Sequence, residues 1–282
     1  MEKRLILNAD DFGLHVSINT SVEKAHREGM LTSASLAVNG EEFEDAVAIA
    51  KRNKDLGVGV HLILTGERPL APAEKIPSIV EDNGRLPGDY SKLCAKIFKR
   101  KINPEHIKVE CETQIARFID SGLVPTHLDS HQHIHFFPPI FKILSPLLKK
   151  YGVQRIRALN IPWYEYREID LVKIGFAFFT RYVNVLRKTR YRSPDRFLGF
   201  FRSGNMDASY MRRVLPRIGP GVTEIGFHPG SDNLEISKRY GFLKDLHGWA
   251  CDWVREYDLL MSEEMKEIVG LNNIVLINYS DL

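Results

Sequence analysis

The chain has 282 residues, 44% hydrophobic, 10% aromatic and 27% charged, a profile that excludes disordered, collagen-like and disulfide-stapled proteins. Lys and Arg number 39 against 36 Asp and Glu, so a net charge of only +3 gives no general case for a nucleic-acid partner. Three widely spaced cysteines, Cys94, Cys111 and Cys251, fit a reducing, cytoplasmic setting and speak against a cysteine metal site.

In chain order, Arg4–Ala9 reads as a buried strand and Val16–Gly29 as a helix closed by glycine. The apolar start breaks at Asn8, short of the roughly 7–15 residues of a secretory core. Thr32–Val38 is the next strand, Glu42–Lys51 a helix and Leu56–Leu64 a third strand. The Pro- and Gly-punctuated stretch Thr65–Tyr90 reads as a loop. Pro104–Ser121 is a helix, Val124–Asp129 a strand, Pro138–Tyr151 a helix and Arg155–Leu159 a strand. Residues 160–205 break the rhythm with aromatic and basic residues. Its greasy run, Ile174–Phe179, is far shorter than the roughly 20 residues that span a bilayer. Val222–Phe227 and Ile274–Tyr279 complete the strands, with helices near Phe242–Val254 and Glu263–Val269 between them.

Seven strands separated by crossover helices predict a mostly parallel α/β domain, a barrel or an open sheet. With no repeat and no linker, the expectation is one domain over 1–282 with an insertion at about 160–205. Its site belongs at the carboxyl ends of the strands.

The chemistry-bearing residues fall at those ends. Asp10 and Asp11 follow the first strand, His61 sits late in the third, and His127, Asp129, His131, His133 and His135 crowd the end of the fourth. An Asp pair after a strand is often a helix cap, and a lone strand histidine is more often core. Four histidines in nine residues resist that reading. One carboxylate and two imidazoles on neighbouring strand ends make an open metal site. In extended backbone the two aspartates point to opposite sides, so both serve one cleft only if the turn swings them together. One would then bind metal and the other stay free. His131, at the strand's end, is the favoured ligand, with His127 and Asp129 orienting the site from within the strand. His228, in Gly226-Phe227-His228-Pro229-Gly230 after a later strand, suits a general acid at the cleft rim. The tripeptide Asp11-Phe12-Gly13 lacks the other kinase signatures, which excludes a kinase.

Five motifs in order carry a resemblance: Asn8-Ala9-Asp10-Asp11-Phe12-Gly13; Thr32-Ser33 with Val38-Asn39; Val60-His61; Thr126-His127-Leu128-Asp129-Ser130-His131; and His228-Pro229. Together they resemble the YdjC-like carbohydrate deacetylases, which include the chitooligosaccharide deacetylases. The resemblance implies a distorted (β/α) barrel of NodB type. It implies a divalent metal, zinc by preference with magnesium or another divalent ion as alternatives, on Asp11, His61 and His131. Asp10 becomes the general base and His228 the general acid in removing acetyl from an N-acetylated sugar. Where the family often has three consecutive histidines, this chain has His131-Gln132-His133. Arg196-Phe197, Gly199 and Ser203-Gly204 are similar to a branch associated with hopanoid and other glycolipids. Aromatic and basic residues across 174–204 therefore suggest a substrate-selecting wall with peripheral membrane contact. A homodimer is compatible with this reading. The rival functions are another metal hydrolase, acting on a phosphoester or cyclic amide, and a non-catalytic sugar-binding protein.

Overall fold

The structure, a computed structural model, describes residues 2–166, 191–240 and 251–282. Seven strands, β1 (Lys3–Phe12), β2 (Ser33–Ala37), β3 (Gly57–Leu62), β4 (Leu128–Ser130), β5 (Arg196–Leu198), β6 (Gly221–Phe227) and β7 (Ile274–Leu276), form one sheet. The order is β4-β3-β2-β1-β6-β5, and every pairing is parallel. One edge of β1 pairs with β6 from Lys3 to Ala9. Its other partners are β7, at Lys3–Leu5, and β2, from Asn8 onward.

Around the sheet lie α1 (Val16–Arg27), α2 (Phe43–Arg52), α3 (Tyr90–Phe98), α4 (Pro104–Asp120), α5 (Pro138–Lys150), α6 (Ala208–Val214), α7 (Asn233–Tyr240), α8 (Trp253–Met261) and α9 (Glu263–Leu271). Local chemistry sets several starts: Asn103 accepts from Glu105 N–H ahead of Pro104, and Asp89 and Asp207 cap α3 and α6 in the same way. Helices α3, α6 and α7 were not expected; α3 is nine residues and follows a long Pro/Gly-rich segment that hides its start. The expected helix near Phe242–Val254 falls mostly outside the described residues, and α8 begins at its end. No described helix is long and apolar enough to cross a membrane.

The expected strand Arg155–Leu159 needs correcting. It is not a continuous strand but makes single bridges, Ile156 to Leu128 and Arg155 to Arg192. Its hydrogen bonds nevertheless run to both sides: Arg157 N–H to Leu128 O (3.1 Å), Ile156 N–H to Arg192 O (3.0 Å) and Phe197 N–H to Asn160 O (3.0 Å). The segment thus fills the gap between β4 and β5 and closes the sheet into a distorted barrel. Strand β5, unexpected, comes from the stretch that broke the rhythm; three residues are too few to show a period.

Helix-facing residues of the barrel are apolar: Leu5, Leu7 and Ala9 on β1, Ala34 and Leu36 on β2, and Val58 and Val60 on β3 are all buried. The alternate positions turn inward and are largely polar. Asn8, Ser35, His61, Asp129, Arg157 and Glu224 are buried there and hydrogen-bond across the interior. Tyr279, fully buried, closes the lower end, its OH donating to Glu224 at 2.5 Å. This barrel interior is a hydrogen-bonded polar network, which a low-dielectric setting tolerates only when its members are paired.

Candidate metal centre and active site

Asp11, His61 and His131 converge at the carboxyl ends of the strands, each offering a ligand atom within 4.8 Å of the others. Asp11 reaches the cluster because its φ is +64°, at the point where the β1–β2 register shifts between Ala9 and Phe12. That left-handed residue is the swing needed to bring both aspartates to one cleft. His61 comes from β3, with Nε2 3.4 Å from Asp11 Oδ1. His131 follows β4, with Nδ1 3.0 Å from the same oxygen.

Behind His61 stands Asp129, whose Oδ1 lies 2.7 Å from His61 Nδ1. Ser35 donates to the other oxygen of Asp129 at 2.7 Å. A carboxylate behind a ligating imidazole fixes its tautomer and leaves Nε2 for an ion. His61 Nε2 is buried and has no hydrogen-bond partner. Burial disfavours a charged His61, but Asp129 and Asp11 outweigh it and hold the imidazole up at about 10. Positive charge is therefore favoured at this point. The wider balance agrees: Asp10, Asp11, Asp129 and Glu224 are buried together with one guanidinium, Arg157. The donor set and the charge balance both fit a divalent cation.

Asp10 is not free, as the sequence suggested for the aspartate that does not bind metal. Arg157 grips both its oxygens, at 2.7 and 2.6 Å, and Asn8 Nδ2 donates to it at 2.9 Å. Burial works against its charge, yet Arg157 prevails and keeps the carboxyl below its ordinary range. Arg157 also reaches Asp129 (2.8 Å) and Glu224 (2.9 Å), so one guanidinium serves three carboxylates. Burial raises Glu224 to about 7 in spite of that contact.

His228 stands just past β6, its backbone N–H donating to Glu256 Oε2 at 2.6 Å and its Nδ1 3.8 Å from the same oxygen. Glu256, on α8, is fully buried and also accepts from Met206 N–H. Burial opposes a charged His228; Glu256, Asp10 and Asp11 overcome it and raise its pKa. The turn after His228 is tied to the start of α1, where Ser231 N–H donates to Ser17 Oγ at 2.9 Å.

The other histidines separate cleanly. His127 does not orient the ligands directly. It lies in the barrel, stacked on Tyr279 at 3.7 Å with Nε2 3.1 Å from Ser35 Oγ. Its ring presses so closely on β3 that a Cβ at Gly59 would come within 2.4 Å of it. Burial pushes His127 down to about 3, so it is neutral. His135 is buried with Nδ1 2.5 Å from Ser130 Oγ. His133 is half-buried, and burial pushes it also down to about 3.

Of the aromatic and basic wall expected across 174–204, residues 174–190 lie outside the described residues. In the remainder, Phe197 is buried in the core, Arg192 donates to Leu282 O, and Arg196 donates to Gly219 O and Pro220 O.

Arg157, Glu224 and Glu256 were missed in the sequence. The one available signal was the alternation Arg155-Ile156-Arg157 inside a run read as a strand, which places a charge on a buried face.

The sequence profile of the YdjC-like proteins matches residues 4–270. A carbohydrate deacetylase from Brevibacillus brevis is 41% identical over 280 residues, covering 99% of each chain. A chitooligosaccharide deacetylase from Salmonella paratyphi B is 38% identical over 163 residues, covering 57% of this chain and 60% of that one. Among solved structures, a candidate cellobiose-phosphate cleavage protein from Enterococcus faecalis V583 superposes with a TM-score of 0.78 at 28% identity, covering 100% of this chain and 99% of that one. By the profile match and the full-length relative, the chain belongs to the YdjC-like family.

Proposed function

We propose that the protein is a metal-dependent hydrolase that removes the N-acetyl group from an N-acetylated sugar, an oligosaccharide or a glycolipid. The observation that carries this reading is the convergence of Asp11, His61 and His131, with His61 Nε2 buried without a hydrogen-bond partner and Asp129 behind the ring. The names of the relatives, carbohydrate and chitooligosaccharide deacetylase, support the substrate class. Those three residues would hold a divalent ion, zinc before magnesium or another ion for a His–His–Asp set. When bound, the ion supplies Lewis-acid chemistry, lowering the pKa of water and polarising an acyl oxygen.

The protein's own groups supply the proton transfers. Asp10, ionised and beside Asp11, accepts a proton from the attacking water. Arg157 keeps Asp129 and Glu224 as partners while Asp10 is neutral, so the guanidinium is never stranded. His228, whose pKa is raised against burial by Glu256, Asp10 and Asp11, delivers a proton to the departing nitrogen. An amine leaves poorly without one, which is why an acid is required. The products are acetate and a free amine. The three free cysteines fit action in the cytoplasm.

The test is acetate release from N-acetylated chitooligosaccharides and N-acetylated glycolipids by chelated protein, before and after metal is added back. Metal-restored acetate release is the expected result. Release of phosphate from a phosphoester with no acetate would replace the reading with another hydrolase. Sugar binding without any turnover would replace it with a binding protein.

A further inference from the structure

His133 sits in a turn that costs energy to make. Gln132 and His133 have φ of +53° and +52°, a left-handed pair without glycine. Such residues are strained and persist where surrounding contacts enforce them. Here the enforcement is visible. Gln132 Oε1 accepts from Tyr90 N–H at 2.8 Å and from Thr65 Oγ1 at 3.3 Å, pinning the turn to the start of α3 and to the loop after β3.

The turn sets the His133 imidazole against two phenylalanine rings. The ring meets Phe197 edge-on at 5.6 Å and lies against Phe200 at 5.4 Å. Phe197 in turn carries the Arg157 guanidinium over its face at 5.2 Å, and Arg157 grips Asp10. His133 is thus one aromatic ring removed from the Arg157–Asp10 pair. Its Nδ1 is sealed from solvent and has no hydrogen-bond partner. A proton on that atom would be a buried, unsatisfied donor, which is costly. The ring proton therefore belongs on Nε2, the outward polar atom of a half-buried side chain. The Phe rings and the pinned backbone fix where that donor points.

We propose that His133 is a specificity-determining residue whose Nε2–H donates a hydrogen bond to a hydroxyl oxygen of the sugar that carries the acetamide. This rests on the deacetylase reading above and names a contact within that site. Neither the ion nor the two proton transfers needs His133, so its removal acts on substrate recognition.

The test compares unaltered protein, His133→Phe and His133→Asn on N,N′-diacetylchitobiose and its monodeoxy analogues. It reads kcat/KM by acetate release and metal content by mass spectrometry. His133→Phe keeps the aromatic contacts and removes the donor. His133→Asn tolerates the left-handed backbone and keeps an N–H, so it serves if the Phe variant does not fold. The expected result is unchanged metal content and a loss of about tenfold in kcat/KM for the Phe variant, the scale of one hydrogen bond. One deoxy analogue should cost the unaltered protein about as much and the Phe variant almost nothing. Equal penalties across all analogues in protein and variants would overturn the assignment. Failure of the unaltered protein to release acetate from any of them would refute the deacetylase reading, and this contact with it.

Discussion

Both oxygens of Asp10 are held by the guanidinium of Arg157, at 2.7 and 2.6 Å, with both side chains buried in the barrel. Removing one partner of a buried pair leaves an uncompensated charge, which typically costs about 3–5 kcal/mol. Arg157→Met is therefore expected to lower the thermal midpoint by several degrees and to lose most turnover. A scan of the purified variant checks this. A midpoint within a degree of the unaltered protein would show that Asp10 does not depend on the pair.

His131 and His135 should part company on metal. His131 is within 3.0 Å of Asp11, while His135 turns to Ser130 Oγ inside the fold. His131→Ala is expected to lose bound metal and His135→Ala to keep it, as read by elemental analysis of both proteins. Asp129→Asn should fall between them, with affinity weakened about 10–100-fold, because it orients a ligand without being one. Equal retention by the two alanine variants would sink the ligand assignment.

The adjacent aspartates are expected to divide their labour. Asp10→Asn should keep near-normal metal and lose turnover by about 100–10,000-fold, the usual contribution of a general acid or base. Asp11→Asn should lose both metal and activity. Metal content and acetate release measured side by side decide it, and equal metal loss in both variants would contradict the division.

How much of this was readable depended on whether the signal was local. Four histidines in nine residues and an Asp pair after a strand stand out in one dimension, and the structure does gather Asp11, His61 and His131. The parallel architecture followed from strand and helix lengths alone. Arg157 and Glu256 did not stand out, since each is one charged residue among 75 and its meaning lies in partners 147 and 28 positions away. Strand β5 and the bridge at Ile156 are too short to show a period and exist only because their neighbours hold them. The polar lining was hidden for another reason. Asn8 and Ser35 look like lapses in apolar strands until closure of the barrel turns alternate positions inward.

Glu256 offers a way to read His228 by its pH dependence. A general acid must be protonated when the reaction begins, so activity falls as pH rises through its pKa. Burial alone would pull that pKa down, and Glu256, with Asp10 and Asp11, holds it above the ordinary imidazole value. The alkaline limb of kcat should therefore lie above that value in the unaltered protein. Glu256→Gln removes one of the opposing charges and leaves burial in place, so the limb should move to lower pH. Metal content should not change, because Glu256 contacts His228 and Met206 rather than any proposed ligand. The same substitution turns one acceptor into an amide N–H facing a backbone N–H, so some loss of stability accompanies the shift. Rates across the pH range, normalised to folded protein, separate the two effects. An alkaline limb that stays put while metal and fold are intact would remove His228 from the role of acid.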